Sequence, residues 1–400
     1  MKILVTHNAY RQRGGEDIAV EQEVAMLRDA GHEVELHLVD SGVINSLAGK
    51  AGALLRASHD PSRENWAADL VRTQRPDIVH VHNFFPLLTP AVHFGAARAG
   101  AAVVQTLHNF RTICAGAMLM RNEAPCEKCL AGSPLWGVVH RCYHGSLPGS
   151  LAITAMQARA RRTGVWTTHT HRIIALTEFA RTRFIAGGLP ADRIRVKPNT
   201  IAPPTRPSSP GTRRFALFVG RLSPEKGAAY LVRAWHAFSD IPLVIVGSGP
   251  EQASLRAMAP ANVEFRGQLS AAGVQDALAS ARILIMPSLS YEGLPMALLE
   301  AFAQGVPVAA SAHGSLAELV EPGRTGALFP AGDSDGLVAV LRPLLADPAR
   351  LGAMGAAARA VFAARYAPKN NLALLENIYH EAIVEADITR TRTRAAPASR

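Results

Sequence analysis

The segment Gly220-Arg221-Leu222-Ser223-Pro224-Glu225-Lys226-Gly227 sets two cations, Arg221 and Lys226, in a loop that leaves a strand pattern and enters a helical one. Such a loop presents free backbone N–H groups and the positive end of a helix dipole, so two added cations make it suited to a diphosphate. The order of glycine, lysine and hydroxyl is not that of a Walker loop. Further on, Tyr291-Glu292-Gly293-Leu294-Pro295 carries Glu292 just ahead of a helix, with Glu300 inside that helix. Pro295 suits the first turn, where a missing N–H costs nothing. Asp333-Ser334-Asp335 matches a metal-binding carboxylate pair by eye. Its place before the apolar run Leu337-Val338-Val340-Leu341 reads instead as a helix N-cap, with Asp333 accepting first-turn N–H groups.

The cysteines, Cys114, Cys126, Cys129 and Cys142, lie with eleven, two and twelve residues between them. One Cys-x-x-Cys with two flanking thiols supplies the donors of a tetrahedral structural zinc, and His140 or His144 offers a substitute for one thiolate. A redox pair and inert buried thiols are the competing readings. In Val79-His80-Val81-His82, alternation puts both imidazoles on one face of a strand; hydrogen-bonded histidines are the expectation and a metal pair the alternative.

The elements needed to position these groups are those of two α/β domains. Ile3–Val5, a helix closed by Gly31, and Val34–Val39 make a strand–helix–strand unit, and strands follow at Ile78–Val81, Val103–Leu107 and Ile173–Leu176. Residues 1–200 read as a doubly wound first domain, with a Cys-rich insertion at 109–145. The proline-rich stretch 201–213 reads as a linker. The pattern restarts over 214–365 with strands Phe215–Val219, Leu243–Val246, Ile283–Met286 and Val306–Ala309. A helical segment, 366–388, is expected to pack back toward the first domain, and the arginine-rich end, 389–400, reads as a disordered basic tail.

With 400 residues, 48% of them apolar and 18% charged, most of the chain is too apolar to be disordered. The apolar N-terminal run turns polar at Thr6-His7-Asn8, too early for a signal-peptide core, and four cysteines are too few for a disulfide scaffold, so a cytoplasmic protein is expected. The net charge of +10 permits acidic partners without choosing one. The acid-free stretch from Met156 to Arg172 follows the amphipathic run Leu147–Ala158, which suits either a helix lying on anionic lipid or a solvated basic face.

Together with Gly247-Ser248-Gly249-Pro250, Gly305-Val306-Pro307-Val308 and Gly314–Val320, the loop and the paired glutamates resemble family 4 of the retaining nucleotide-sugar glycosyltransferases. Gly14-Gly15 and His108, which follow two strands of the first domain, agree with that pattern. The resemblance implies the GT-B architecture, two Rossmann-like domains facing an interdomain cleft. It implies that Arg221 and Lys226 bind the donor diphosphate, with Gly14, Gly15, Gly293 and Leu294 offering backbone beside it. Glu300 would bind the ribose, while Glu292 and His108 would be the catalytic residues beside the transferring sugar. The expected activity is a hexosyl transfer from a nucleotide-diphosphate sugar to a saccharide or lipid-linked saccharide acceptor, in envelope or exopolysaccharide synthesis. No metal or other cofactor is expected to be essential for transfer, and nucleic acid is not an expected partner. A peripheral position at the inner face of the cell membrane fits the basic helix. The weaker alternatives are a zinc-bearing nucleic-acid-binding protein, for which the 6% aromatic content offers few stacking platforms, and an epimerase or phosphorylase on the same fold.

Overall fold

The computed structural model describes residues 1–10, 13–204 and 213–395. The chain forms two compact units, one of residues 1–118, 127–199 and 371–400, the other of residues 119–126 and 200–370.

The first unit holds a six-stranded parallel sheet of order β2-β1-β3-β4-β7-β8, formed by β1 (Lys2–Ala9), β2 (Glu33–Asp40), β3 (Ile78–Val81), β4 (Ala102–Leu107), β7 (Arg172–Ala175) and β8 (Ile194–Val196). The central strands β3 and β4 are buried along their whole length, as a sheet covered on both faces requires. Between β4 and β7 the Cys-rich insertion forms a short antiparallel ribbon, β5 (Met120–Arg121) and β6 (Ala124–Pro125), and short helices. The ribbon belongs to the second unit, so the insertion is not wholly part of the first domain as its sequence position implies.

The second unit repeats the plan. Its strands are β9 (Phe215–Val219), β10 (Leu243–Val246), β11 (Val263–Gly267), β12 (Ala281–Met286), β13 (Val308–Ser311) and β14 (Gly326–Phe329), in the parallel order β11-β10-β9-β12-β13-β14. Each sheet reverses its direction of winding once, between β1 and β3 and between β9 and β12. In open α/β sheets such switch points open a crevice at the carboxyl ends of the strands.

Helix Pro368–Ala395 returns to the first unit, where Leu375, Ile378, Tyr379, Ala382 and Ala386 are buried in one cluster with Ile3, Val5, Val24 and Leu27. Its length corrects the expected tail. Residues 389–395 are helical, with Thr389 and Thr391 hydroxyls donating to Glu385 O and Asp387 O and Arg390 Nη1 donating to Gly100 O at 2.8 Å. Polar composition hid this because the last turns are held by side-chain-to-backbone bonds rather than by an apolar stripe. The remainder of the tail call, 396–400, and linker residues 205–212 lie outside the described residues.

The basic stretch is also less free than its composition suggests. Arg172 Nε donates to Glu381 Oε2 at 2.7 Å, and Arg161 Nη2 donates to Gly187 O at 2.7 Å. Helix Leu147–Arg162 buries Ile153, Met156 and Ala160 in its own domain and leaves Leu147, Leu151, Arg161 and Arg162 exposed.

Candidate functional site

On the second unit, the loops after β9 and β12 meet. Gly227 adopts a φ of +67°, and a Cβ there would stand 1.9 Å from Pro287 O, so the two loops touch backbone to backbone only because this residue is glycine. Leu289 N donates to Glu225 O at 2.8 Å and fixes the contact. The neighbouring loop after β10 is drawn in by the same means. Gly247 has a φ of +135°, and a Cβ on it would lie 1.9 Å from Gly220 O.

This close fit delivers Lys226 to Glu292. The ammonium Nζ donates to Glu292 Oε1 at 2.6 Å, and Ser288 Oγ donates to the same oxygen at 2.6 Å. Burial alone would raise the Glu292 carboxyl, but the Lys226 charge, the two hydrogen bonds and nearby His313 more than offset it and hold the group below its ordinary value. His313 Nε2 lies 2.8 Å from Ser288 O and therefore carries the proton there. Glu300, in helix Met296–Ala303, has the opposite environment. Burial pushes its carboxyl up to about 7, so it is poised to change charge near neutrality. Gly293 is half-buried, Leu294 is buried and Arg221 is exposed at the start of the first loop. Asp333 caps helix Ser334–Leu345, its Oδ1 accepting from Gly336 N at 2.9 Å, as its place before the apolar run indicates.

On the first unit, Gly14 is the N-cap of helix Gly15–Asp29, and its N–H donates to Asp17 Oδ2 at 2.8 Å. Asp17 Oδ1 also lies 2.9 Å from His7 Nε2. The β1–β3 register pairs Thr6 with Val81, and His82 N continues that ladder by donating to Thr6 O at 3.0 Å. His82 thus sits at the carboxyl edge of the sheet beside His7. The β3–β4 register pairs Val81 with Gln105, and His108 follows two positions beyond the next residue of that strand. His82 Nδ1 and His108 Nε2 are 2.9 Å apart. His82, Asn83, Phe85, His108, Asn109 and Arg111 are among the residues lining a recess there.

Beneath the recess lies a buried ion pair that sequence reasoning missed. Lys197 Nζ donates to Glu23 Oε2 at 2.6 Å, and Glu23 Oε1 lies 3.2 Å from His82 Nε2 and 3.3 Å from His80 Nδ1. His80 is otherwise held by Tyr379 OH and Thr106 Oγ1, each at 2.8 Å. Among the described residues, Glu23, His80 and His82 form the one group of three or more metal-type ligands whose donor atoms lie within 4.8 Å of one another. The Lys197 ammonium already neutralises that carboxylate, which explains the group as a charge-compensated polar cluster. Only the alternation at His80 and His82 hinted at it. Glu23 reads as one more polar residue of an amphipathic helix, and nothing around Lys197 marks it for burial.

The cysteines join in no disulfide, Cys114 is buried, and Cys126, Cys129 and Cys142 are half-buried.

The comparisons with known proteins bear on both units. A model described as glycosyl transferase 4-like domain matches residues 14–200, and one described as glycosyl transferases group 1 matches residues 204–361. The chain belongs to this glycosyltransferase family. Phosphatidyl-myo-inositol mannosyltransferase of Mycobacterium leprae is 33% identical over 224 residues, 52% of this chain and 58% of that protein. A GDP-mannose-dependent monoacylated alpha-(1-6)-phosphatidylinositol monomannoside mannosyltransferase of Corynebacterium glutamicum is 42% identical over 153 residues, 35% of this chain and 40% of that protein. The chain thus spans only about half the length of these curated relatives. Among solved structures, Anabaena Alr3699/HepE in complex with UDP and glucose shares the fold with a TM-score of 0.66 and 19% identity, over 94% of this chain and 99% of that one. The fold of this family member is therefore GT-B, two Rossmann-like domains built on parallel sheets.

Proposed function

We propose that this family member is a retaining hexosyltransferase that moves a sugar from a nucleotide-diphosphate donor to a saccharide or lipid-linked saccharide. The observation that carries the reading is the 2.6 Å contact between Lys226 and Glu292. The bond to be broken joins a sugar carbon, which gains positive charge, to a phosphate oxygen, which gains negative charge. A carboxylate and an ammonium held side by side match those two developing charges. In this reading Arg221 and Lys226 bind the diphosphate, which supplies charge compensation without an essential metal. Gly293, Leu294, Gly14 and Gly15 offer backbone to the donor, Glu300 accepts from the ribose hydroxyls, and His108 faces the sugar. The bond electrons leave with the diphosphate, the acceptor oxygen takes their place on the same face, and its proton passes to the departing phosphate. GDP-mannose, named for the Corynebacterium relative, is the first donor to test.

The two glutamates separate in kinetics. Glu292→Gln is expected to lower kcat about 10²-fold, because its charge is needed chiefly as the bond breaks. Glu300→Gln is expected to raise donor KM about tenfold with little change in kcat. Only ionised Glu300 accepts two ribose hydroxyls, and its carboxyl sits near about 7 in the ligand-free protein. Nucleotide Kd should therefore be flat well above that pH and rise as pH falls through it, by up to tenfold per unit, a dependence that Glu300→Gln removes. Wild-type turnover by Glu292→Gln would contradict the assignment.

A peripheral membrane position is a second part of the proposal. No helix among the described residues is long and apolar enough to cross a membrane. Helix Trp136–Val139 packs against helix Leu147–Arg162, and Val139, Leu147 and Leu151 are 65%, 49% and 55% exposed, with exposed Arg162 on the second helix. Exposed apolar side chains at the start of a helix whose last turn is basic suit an anionic lipid surface. Co-sedimentation with anionic vesicles should weaken with rising salt and fall several-fold in Leu147→Glu/Leu151→Glu; equal binding to neutral vesicles would contradict it.

A structural zinc on Cys114, Cys126, Cys129 and Cys142 is supported by the spacing of the four thiols. It requires the thiols to draw together, since among the described residues no three of them form a group within ligand distance. Protein purified under reducing conditions should carry about one zinc per chain, lost in Cys126→Ser; a zinc-free preparation would reject the site.

A further inference from the structure

We propose that Glu23 and His82 are positioning residues that fix the tautomer of His108, leaving its Nδ1 as a hydrogen-bond acceptor at the recess. The argument follows protons along one buried chain. Glu23 is fully buried on helix Gly15–Asp29 and receives the Lys197 ammonium at 2.6 Å, so it is a carboxylate with nothing to donate. Its other oxygen lies 3.2 Å from His82 Nε2 and 3.3 Å from His80 Nδ1, contacts at ion-pair distance, and neither that oxygen nor His82 Nε2 has a hydrogen-bond partner among the described residues. An imidazole nitrogen facing a carboxylate is stable there only as N–H, because two lone pairs would repel. A neutral His82 therefore has its single proton on Nε2, and its Nδ1 accepts.

That acceptor is 2.9 Å from His108 Nε2, and the two rings are inclined by 23° with centroids 5.2 Å apart. His108 Nε2 must then be the N–H of this bond. Its Nδ1 is left with a lone pair, able to accept from a hydroxyl group and unable to donate to one. Both histidines stay neutral because burial holds their pKa values below the ordinary one; the Glu23 carboxylate opposes this, while His7 and Lys197 add to it. Gln105 steadies the middle member, its Nε2 donating to His82 O at 2.6 Å while its Oε1 lies 2.8 Å from His93 Nε2. An orienting carboxylate behind a histidine is the arrangement by which other sites set the tautomer of a catalytic imidazole. Here one imidazole is interposed.

That a sugar hydroxyl is what meets His108 rests on the transferase reading above. The tautomer does not, and it can be measured without substrate. In protein labelled with ¹⁵N-histidine, at a pH above neutrality, His108 should show one tautomer, protonated at Nε2, assigned by the signals lost in His108→Gln. His82→Leu should replace it by an averaged mixture, and His82→Asn, whose side-chain oxygen falls near the place of Nδ1, should restore the single form. In donor turnover His82→Leu should lower kcat about tenfold or more with KM nearly unchanged, and His82→Asn should recover most of it. Wild-type His108 protonated at Nδ1, or present as a mixture, would overturn the proposal. So would a tautomer that His82→Leu leaves unaltered. These readings on the wild type judge the relay even if no sugar is transferred.

Discussion

A parallel strand hands its chain to a helix at its carboxyl end, and the backbone there has N–H groups, loop freedom and no neighbour to pair with. When winding turns from one side of the first strand to the other, the two loops at that point leave in opposite directions and a gap opens between them. This chain meets that constraint twice. The gap between β1 and β3 holds His7 and His82, with the recess of His108 beside it between the ends of β3 and β4, and the gap between β9 and β12 holds Lys226 and Glu292. The chemistry of each unit is placed by strand order before any side chain is chosen.

Charge then separates the two places. In the second unit the paired ammonium and carboxylate are charged and partly open, while Glu300 sits in a setting that raises its carboxyl to about 7. In the first unit the charges are sealed beneath the site. Glu23 and Lys197 are buried, and what reaches the recess is a neutral imidazole backed by another. Breaking one partner of such a buried pair would cost about 3–5 kcal/mol, because the other would be left charged in a poor solvent.

Much of this was legible from residue order. The strand patterns at Ile78–Val81, Phe215–Val219 and Leu243–Val246 coincide with strands, since buried parallel strands are short apolar runs. The strands Ile194–Val196, Val263–Gly267 and Gly326–Phe329 escaped notice because charged or small residues interrupt them, and they lie at or next to sheet edges where one side is less covered. The loop motifs were readable because glycines and prolines have few alternative uses. The buried relay was not. Glu23, Lys197 and Tyr379 are far apart in sequence, and only packing of the C-terminal helix and of the loop after β8 brings them to His80 and His82. The tail reads as disordered because its helix is held by contacts to Gly100 and by threonine side chains rather than by periodic apolar residues.

The account depends on a site for a nucleotide-diphosphate sugar that uses protein cations in place of a metal. Thermal unfolding in the presence of a panel of such sugars, each with and without EDTA, tests it most directly. A ligand at 100 times its Kd adds about 2.7 kcal/mol to stability. For a domain of this size that is a rise of several degrees in Tm. The prediction is that one nucleotide sugar raises Tm, that EDTA leaves the rise intact, and that Lys226→Ala abolishes it. No shift with any nucleotide sugar at millimolar concentration, or a shift indifferent to Lys226→Ala, would contradict the account.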